Sequence, residues 1–200
     1  FGLHSRFRSH SWNMFLLGEA RSDVFGGTPF GGEATQGMER FPYNTLNAEN
    51  PGISGFGDLY QNINQMNLFI SRTLHTDVLT ESARNYYLGQ VYGLRAYYMY
   101  QLYRSWGDVV FTEEPSLGFE VGKLAKAATP AAEIFEQVKK DIESSLSYFG
   151  SDYTIKEKKS LWSKAATLML KADVYLWSAH RDGGEGDART AKNALVDIQN

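Results

Sequence analysis

Two hundred residues with a formal net charge of −3, 42% hydrophobic and 22% charged, describe a globular chain and not a disordered one. A chain of that length buries roughly 70% of the surface its unfolded form exposes, enough for one or two ordinary cores. The mild, interspersed charge leaves no basic field to hold nucleic acid, the absence of cysteine excludes thiolate zinc sites, disulfide frameworks and cysteine nucleophiles, and no apolar run approaches the roughly 20 residues of a membrane span.

Hydrophobic spacing predicts five or six amphipathic helices. The first lies near Ser5 to Glu19, with Phe7, Trp12, Phe15 and Leu16 as its apolar set. A long irregular stretch follows, about 22 to 52, rich in Gly, Pro, Asn and Thr; long loops in compact domains are functional or disordered. Phe56, Leu59, Tyr60, Ile63, Met66, Phe69, Ile70 and Leu74 then recur every three or four residues and predict a second helix near 54 to 74. The third starts at "LTESARNYY", where Thr80 can cap and Glu81 favours the positive end of the dipole, and runs to about Trp106.

The fourth helix opens with Thr129 as cap and Pro130 at the first helical position. Its face is Ile134, Phe135, Val138, Ile142, Leu146 and Phe149, and Gly150 ends it. The fifth, from Ser163 to about His180, carries Ala165, Ala166, Met169, Ala172, Leu176 and Ala179, small enough on one face for close helix approach. The loop "RDGGEGD" separates it from a sixth helix at Asp187. Strand alternation never persists, so the class is all-α. The caps Thr129 and Ser163 stand 34 positions apart, the period of a tetratricopeptide helix pair, although the consensus Trp and Gly positions are not obvious. This predicts irregular tetratricopeptide-like antiparallel helix pairs stacked into a right-handed α-superhelix. The chain starts at Phe1 and stops within a helical pattern without a stop signal, so residues 1–200 read as part of a longer protein.

The stretch "GLRAYYMYQLYRSWGD", 93 to 108, crowds four tyrosines and a tryptophan into twelve positions. Tyr and Trp are common at binding surfaces, yet a helical projection places Tyr87, Val91, Leu94, Tyr98 and Leu102 within one quarter-turn and predicts a core-facing helix buried over half its circumference. Gln90, Tyr97, Gln101 and Arg104 fall on the wetter side with Tyr100 at its edge, which leaves Tyr97 and Tyr100 for ligand or partner contact. Arg95 falls inside the apolar arc. A buried guanidinium needs a partner, and Asp173, with Asp108 and Asp141 as alternatives, could supply one. Otherwise Arg95 would snorkel to water.

Four stretches taken in order resemble the SusD/RagB family of outer-membrane glycan-binding lipoproteins. They are "LYQNINQMNLFISR" with Tyr60, Ile63 and Asn67, "LRAYYMYQLYRSWGDVVFTEEP", "AAEIFEQVKKDIESSL" and "SKAATLMLKADVYLW". The likeness spans about 10 to 200. Val110 stands where the family usually has proline, and Asp173 where it often has a basic or neutral residue. The resemblance implies a non-catalytic protein at the surface of a Gram-negative cell, anchored to the outer membrane by an N-terminal lipid outside this chain. Such a protein captures an oligosaccharide, or in some members a peptide, and hands it to a TonB-dependent SusC-like transporter. It also implies a longer protein, of which residues 1–200 are the N-terminal tetratricopeptide-like helical region and whose later half packs on the helical repeats, with ligand contacts coming largely from loops.

The residues add no catalytic constellation to that picture: no His-Glu-x-x-His, no Gly-x-Ser-x-Gly and no phosphate loop. The long loop is the better ligand candidate. Sugars are held by aromatic faces and planar polar side chains. Arg40, Phe41, Tyr43 and Asn44 supply both within five positions, with Asp23 near the loop's start and Phe30 and Phe56 as further aromatics. The plainer reading is that Phe41 and Tyr43 pin the loop onto helices. "DGGEGD" puts Asp182, Glu185 and Asp187 among glycines, a weak calcium candidate beside the plainer reading of a solvated turn. No other cofactor is implied. The alternative function is a generic tetratricopeptide-like scaffold that binds a protein or peptide on its concave face.

Overall fold

The computed structural model describes residues 2–22, 24, 41, 43–47, 49, 55–118 and 125–199. The chain divides into two compact units, Phe1–Asp58 and Leu59–Asn200.

In the first unit the single helix expected over Ser5 to Glu19 is two: α1, Gly2–Ser9, and α2, Ser11–Leu17, followed by a 3-10 turn over Glu19–Arg21. The break falls where the Ser9 hydroxyl donates to the Arg6 carbonyl at 2.6 Å, competing with the helical ladder. The next amide, His10, then bonds three residues back to Phe7 at 3.2 Å. Leu16, Ala20 and Phe41 form this unit's core, with Phe15 and Leu46 packed against it. Trp12, expected in the apolar set, is half exposed and stacks on Phe15 at 5.4 Å.

The second unit contains α3 (Gly57–Leu74) from Leu59 onward, α4 (Glu81–Trp106), α5 (Ala131–Phe149), α6 (Lys164–Ser178) and α7 (Gly184–Gln199). The only departure from helix among the described residues' ladders is one antiparallel bridge, Val109 with Thr129. The architecture is the all-α, tetratricopeptide-like arrangement that the spacing predicts. Thr80 caps α4 as expected, its hydroxyl accepting from the Ala83 amide, and Gly107 at φ +74° ends it.

The start of α5 departs from the expectation. Thr129 exchanges two backbone hydrogen bonds with Val109, at 2.9 and 3.3 Å, and Pro130 sits at the cap position. The Asp108 carboxylate accepts from the Ala131 amide at 2.8 Å and does the capping from 23 residues away. Likewise "RDGGEGD" is not an open loop: Ala179–Gly183 continues as a π-helical turn and α7 begins at Gly184.

α4 lies at the centre of this unit. The half-buried projection fails over Leu88 to Leu102, where Gln90, Gln101 and Tyr100 are buried beside the expected core residues. Three neighbours explain it. Asn62 of α3 donates to the Tyr98 hydroxyl. Tyr148 of α5 stacks on Tyr92 at 5.6 Å and Phe135 lies against Tyr103. On the α6 side, Trp162 and Trp177 meet Tyr97 and Tyr100 edge to face. Tyr87, expected in the core, lies near the start of α4 and is 42% exposed. On α6, the buried set is Thr167, Leu168, Leu170, Ala172, Val174 and Ser178, whereas Met169 and Leu176 are exposed. The helix divides its burial among α4, α5 and α7, and Leu168 and Ala172 join Ala191 and Ala194 in a second small core, so of the expected alanine–methionine–leucine face Ala172 is buried, Ala165, Ala166 and Ala179 are partly buried, and Met169 and Leu176 point outward.

Two glycines of α4 permit these close crossings. A Cβ at Gly89 would come within 2.9 Å of the Phe149 ring, and one at Gly93 would run into the Trp162 indole and the Thr167 hydroxyl. The space is filled by a hydrogen-bonded relay. Trp162 Nε1 donates to Thr167 Oγ1 at 2.8 Å, Thr167 and Ser145 share a hydrogen at 2.8 Å, and Ser145 Oγ lies 2.6 Å from the Gly89 carbonyl.

Arg95 does not snorkel. It is 2% exposed, and Nε and Nη2 donate to the two oxygens of Asp141 at 2.7 Å each, the bidentate geometry that suits guanidinium and carboxylate. Nη1 donates to Asn67 at 2.9 Å, and Nη2 also reaches Glu113 at 3.4 Å. Asp173, the partner first expected, is exposed and lies 3.7 Å from Arg104 instead; the alternative Asp141 is the one the fold selects. Burial pushes the Asp141 carboxyl up, opposed by the hydrogen bonds and charge of Arg95.

Removing one member leaves a buried charge without its counter-charge. Asp141→Ala is expected to destabilise the chain by about 3–5 kcal/mol, while a paired apolar replacement, Arg95→Met with Asp141→Leu, should cost much less; urea unfolding followed by circular dichroism checks both. Gly93→Ala should cost at least ~1–3 kcal/mol through overpacking, and combination with Trp162→Phe, which removes the blocking nitrogen, should recover part of that loss in the same assay.

Candidate ligand-binding turn

Of the five residues that the loop reading singles out, the described structure places three: Phe41, Tyr43 and Asn44. The other two, Asp23 and Arg40, lie outside the described residues, as does the further aromatic Phe30. Phe41 is 3% exposed against Leu16 and Ala20, so it anchors the chain. Its carbonyl accepts from the Asn44 amide at 3.1 Å, closing a turn. Asn44 sits at φ +52°, in the left-handed region that asparagine enters more readily than most residues. Tyr43, between anchor and closing residue, is 45% exposed. The two plain alternatives thus separate by residue: Phe41 does the pinning, while Tyr43 and Asn44 remain at the surface. Phe56, the other aromatic, is exposed as well.

A further residue joins this turn. Arg21, at the end of the 3-10 turn, donates from Nε to the Asn44 side-chain oxygen at 3.0 Å. Its own amide bonds the Gly18 carbonyl at 3.0 Å, and its neighbour Ala20 is in the core. Nothing in the local sequence links positions 21 and 44; the pairing follows from Ala20 and Phe41 sharing one apolar cluster. Together the turn offers an aromatic ring, an amide and a guanidinium, the groups that stack on and hydrogen-bond to polyhydroxylated ligands.

Other expected contact points move away from a binding role. Tyr100 is fully buried, and burial pushes its phenol up. Tyr97 is partly buried against Trp162. The acidic cluster is not gathered into a metal site: Asp182 lies on the π-helical turn, Glu185 pairs with Arg189 at 3.0 Å, and Asp187 packs beside Gly183. Among the described residues no three His, Asp or Glu side chains are placed to hold a metal ion. Calcium needs an adaptable oxygen-rich loop, and here the backbone is committed to helix. A groove of about 550 Å³ lies over α5 between Tyr92, Gln137 and Tyr175. Within it Gln137 is engaged with Asp141 and Glu113, and Lys139 with Glu136. Among the described residues, no helix is long and apolar enough to cross a membrane.

The stacked helices of the second unit define a tetratricopeptide-like helical-repeat protein. Residues 39–176 match the family model of SusD-like proteins described as "Starch-binding associating with outer membrane", and the chain belongs to this SusD-like family. A SusD superfamily protein of Bacteroides vulgatus is similar over 99% of this chain, at 50% identity and a TM-score of 0.89. NanU of B. fragilis is similar over the same share, at 52% identity and a TM-score of 0.89. SusD-like protein P38 of Formosa agariphila is 34% identical over 113 residues, 55% of this chain and 20% of that protein. A laminarin-binding SusD-like protein shares the fold at 19% identity and a TM-score of 0.78. The chain spans about two-fifths of the two Bacteroides structures, 40% and 39% respectively.

The first unit also carries a pH dependence. His4 and His10 are both buried. Burial holds the His4 imidazole down at about 4 and shifts His10 in the same direction. A histidine whose folded value lies below its unfolded value, about 6.5, binds fewer protons when folded. The stability contributed by its neutral, buried form is therefore present above about pH 6.5 and is lost as the pH falls toward 4. Acid titration read by Trp12 fluorescence should show this unit loosening across that range, and His4→Gln should flatten the transition.

Proposed function

We propose that the chain is the N-terminal part of a cell-surface glycan-capture protein, which holds an oligosaccharide and delivers it to a TonB-dependent SusC-like transporter of the outer membrane without transforming it. The full protein is anchored there by an N-terminal lipid. The observation that carries the reading is the family membership over 39–176, joined to a turn whose buried Phe41 frees Tyr43 and Asn44 for contact. The description of the family as starch-binding and the laminarin-binding relative support a glycan as ligand. Asp23 and Arg40, which flank the described part of the turn in sequence, complete the proposed ligand set.

Native affinity electrophoresis against a panel of α- and β-glucans, xylan, mannan, pectin and mucin-type glycans tests this. At least one polysaccharide should retard the chain. Tyr43→Ala should weaken that retardation about five-fold, roughly the 1 kcal/mol of an aromatic contact, and Arg40→Ala should weaken it too. Retardation by every glycan unchanged in both variants would remove the turn as the site. No retardation by any glycan, with capture of a peptide instead, would favour the scaffold reading.

A further inference from the structure

We infer that Arg21 is a positioning residue for the ligand-binding turn: it fixes the Asn44 amide so that the turn presents hydrogen-bond donors, and not a mixed donor–acceptor edge, to a sugar. The inference rests on the proposed glycan reading of that turn. A side-chain amide has one oxygen that accepts and one nitrogen that donates. Left alone, it can rotate to present either. At Asn44 the oxygen is taken by Arg21 Nε at 3.0 Å, which assigns the remaining edge to the Nδ2 hydrogens.

The backbone holds both partners in place. Asn44 is set by its left-handed φ and by its amide's bond to Phe41, and Phe41 is buried. Arg21 follows Ala20, itself 1% exposed in the same cluster, and its amide is fixed by Gly18. Two anchors in one core thus bring one guanidinium and one amide together at the surface. A guanidinium has donors only, in a rigid plane. The combined surface therefore complements the acceptor lone pairs of sugar hydroxyl and ring oxygens. A planar donor pair oriented before binding lowers the ordering cost that a free amide would meet on contact. Both side chains are exposed, and an exposed hydrogen bond contributes little to stability, so the fold survives its removal.

A double-mutant cycle tests this, with the polysaccharide that most retards the wild-type chain as probe and the thermal melt of every variant as control. Arg21→Ala is expected to weaken binding about five-fold with an unchanged melting temperature. Asn44→Ala should weaken it at least as much. Arg21→Ala added to Asn44→Ala should then change binding less than about two-fold, because the residue it positions is gone. Asn44→Asp keeps an acceptor for Arg21 and tolerance of the left-handed backbone but loses the donor, and should bind as weakly as Asn44→Ala. Additive effects of the two alanine substitutions would overturn the positioning role, as would a fall in melting temperature that accounts for the loss of binding. If Arg21→Ala binds like wild type while Tyr43→Ala does not, the inference fails and the glycan reading stands. If the panel retards nothing, both fail.

Discussion

Burying the Arg95 guanidinium obliges separate elements of the second unit to meet at one point. Its donors are matched by Asp141 on α5, Asn67 on α3 and Glu113 on the segment between α4 and α5. Asn67 is bound in turn. Its Nδ2 donates to the Thr112 carbonyl at 2.6 Å, while Tyr60 donates to Val110 and Asn64 exchanges two hydrogen bonds with Ser116. The segment from Val109 to Ser116, which has no regular structure beyond one bridge, is thereby fastened along α3. A buried ion pair gives little net stability compared with an apolar pair of the same shape. What it imposes is register: a helix slid by one residue would leave a charge unmatched in a dry interior.

A second constraint, one turn further along α5, complements the first. Gly89 and Gly93 remove side chains where α5 and α6 press on α4, and Ser145, Thr167 and Trp162 fill the contact with a relay in which each buried polar atom has a partner. Both sites use polar matching inside a core. Both tolerate little change in the distance between helices, since hydrogen bonds weaken steeply with geometry. That explains why a helix with four tyrosines in seven positions is a packing element: each ring has a neighbour on α5, α6 or α4 itself.

How much of this the sequence discloses depends on the range over which each feature is decided. The Thr80 and Ser163 caps and the stops at Gly107 and Gly150 are set within a turn of helix, and they are legible. The need of Arg95 for a carboxylate is legible too, because its position on the apolar arc is local. Which carboxylate answers is not, because Asp141 and Asp173 both interrupt apolar faces and only the crossing of α4 with α5 separates them. Asp108 displaces Thr129 as the α5 cap for the same reason, from across a bridge. A projection of α4 onto one circle assumes one neighbour; Gln90, Gln101 and Tyr100 are buried because there are three. At the turn, residue type alone marks Tyr43 and Asn44, whereas Arg21 reaches Asn44 through a core contact that no spacing rule encodes.

The two units also differ in how they hold a polar group in position. Arg95 is fixed by burial, at the cost that any change of partner strains the whole crossing. Arg21 and Asn44 are fixed at the surface, each by a small apolar neighbour sunk in the core below: Ala20 beside one, Phe41 three residues before the other. The second arrangement separates orientation from stability. Phe41, Leu16 and Ala20 set where the turn sits, and the side chains at 21, 43 and 44 can vary without opening a cavity or leaving a charge buried. On the proposed reading, preference among glycans is then decided at these exposed positions, while the buried pair in the second unit is held constant by the fold it supports.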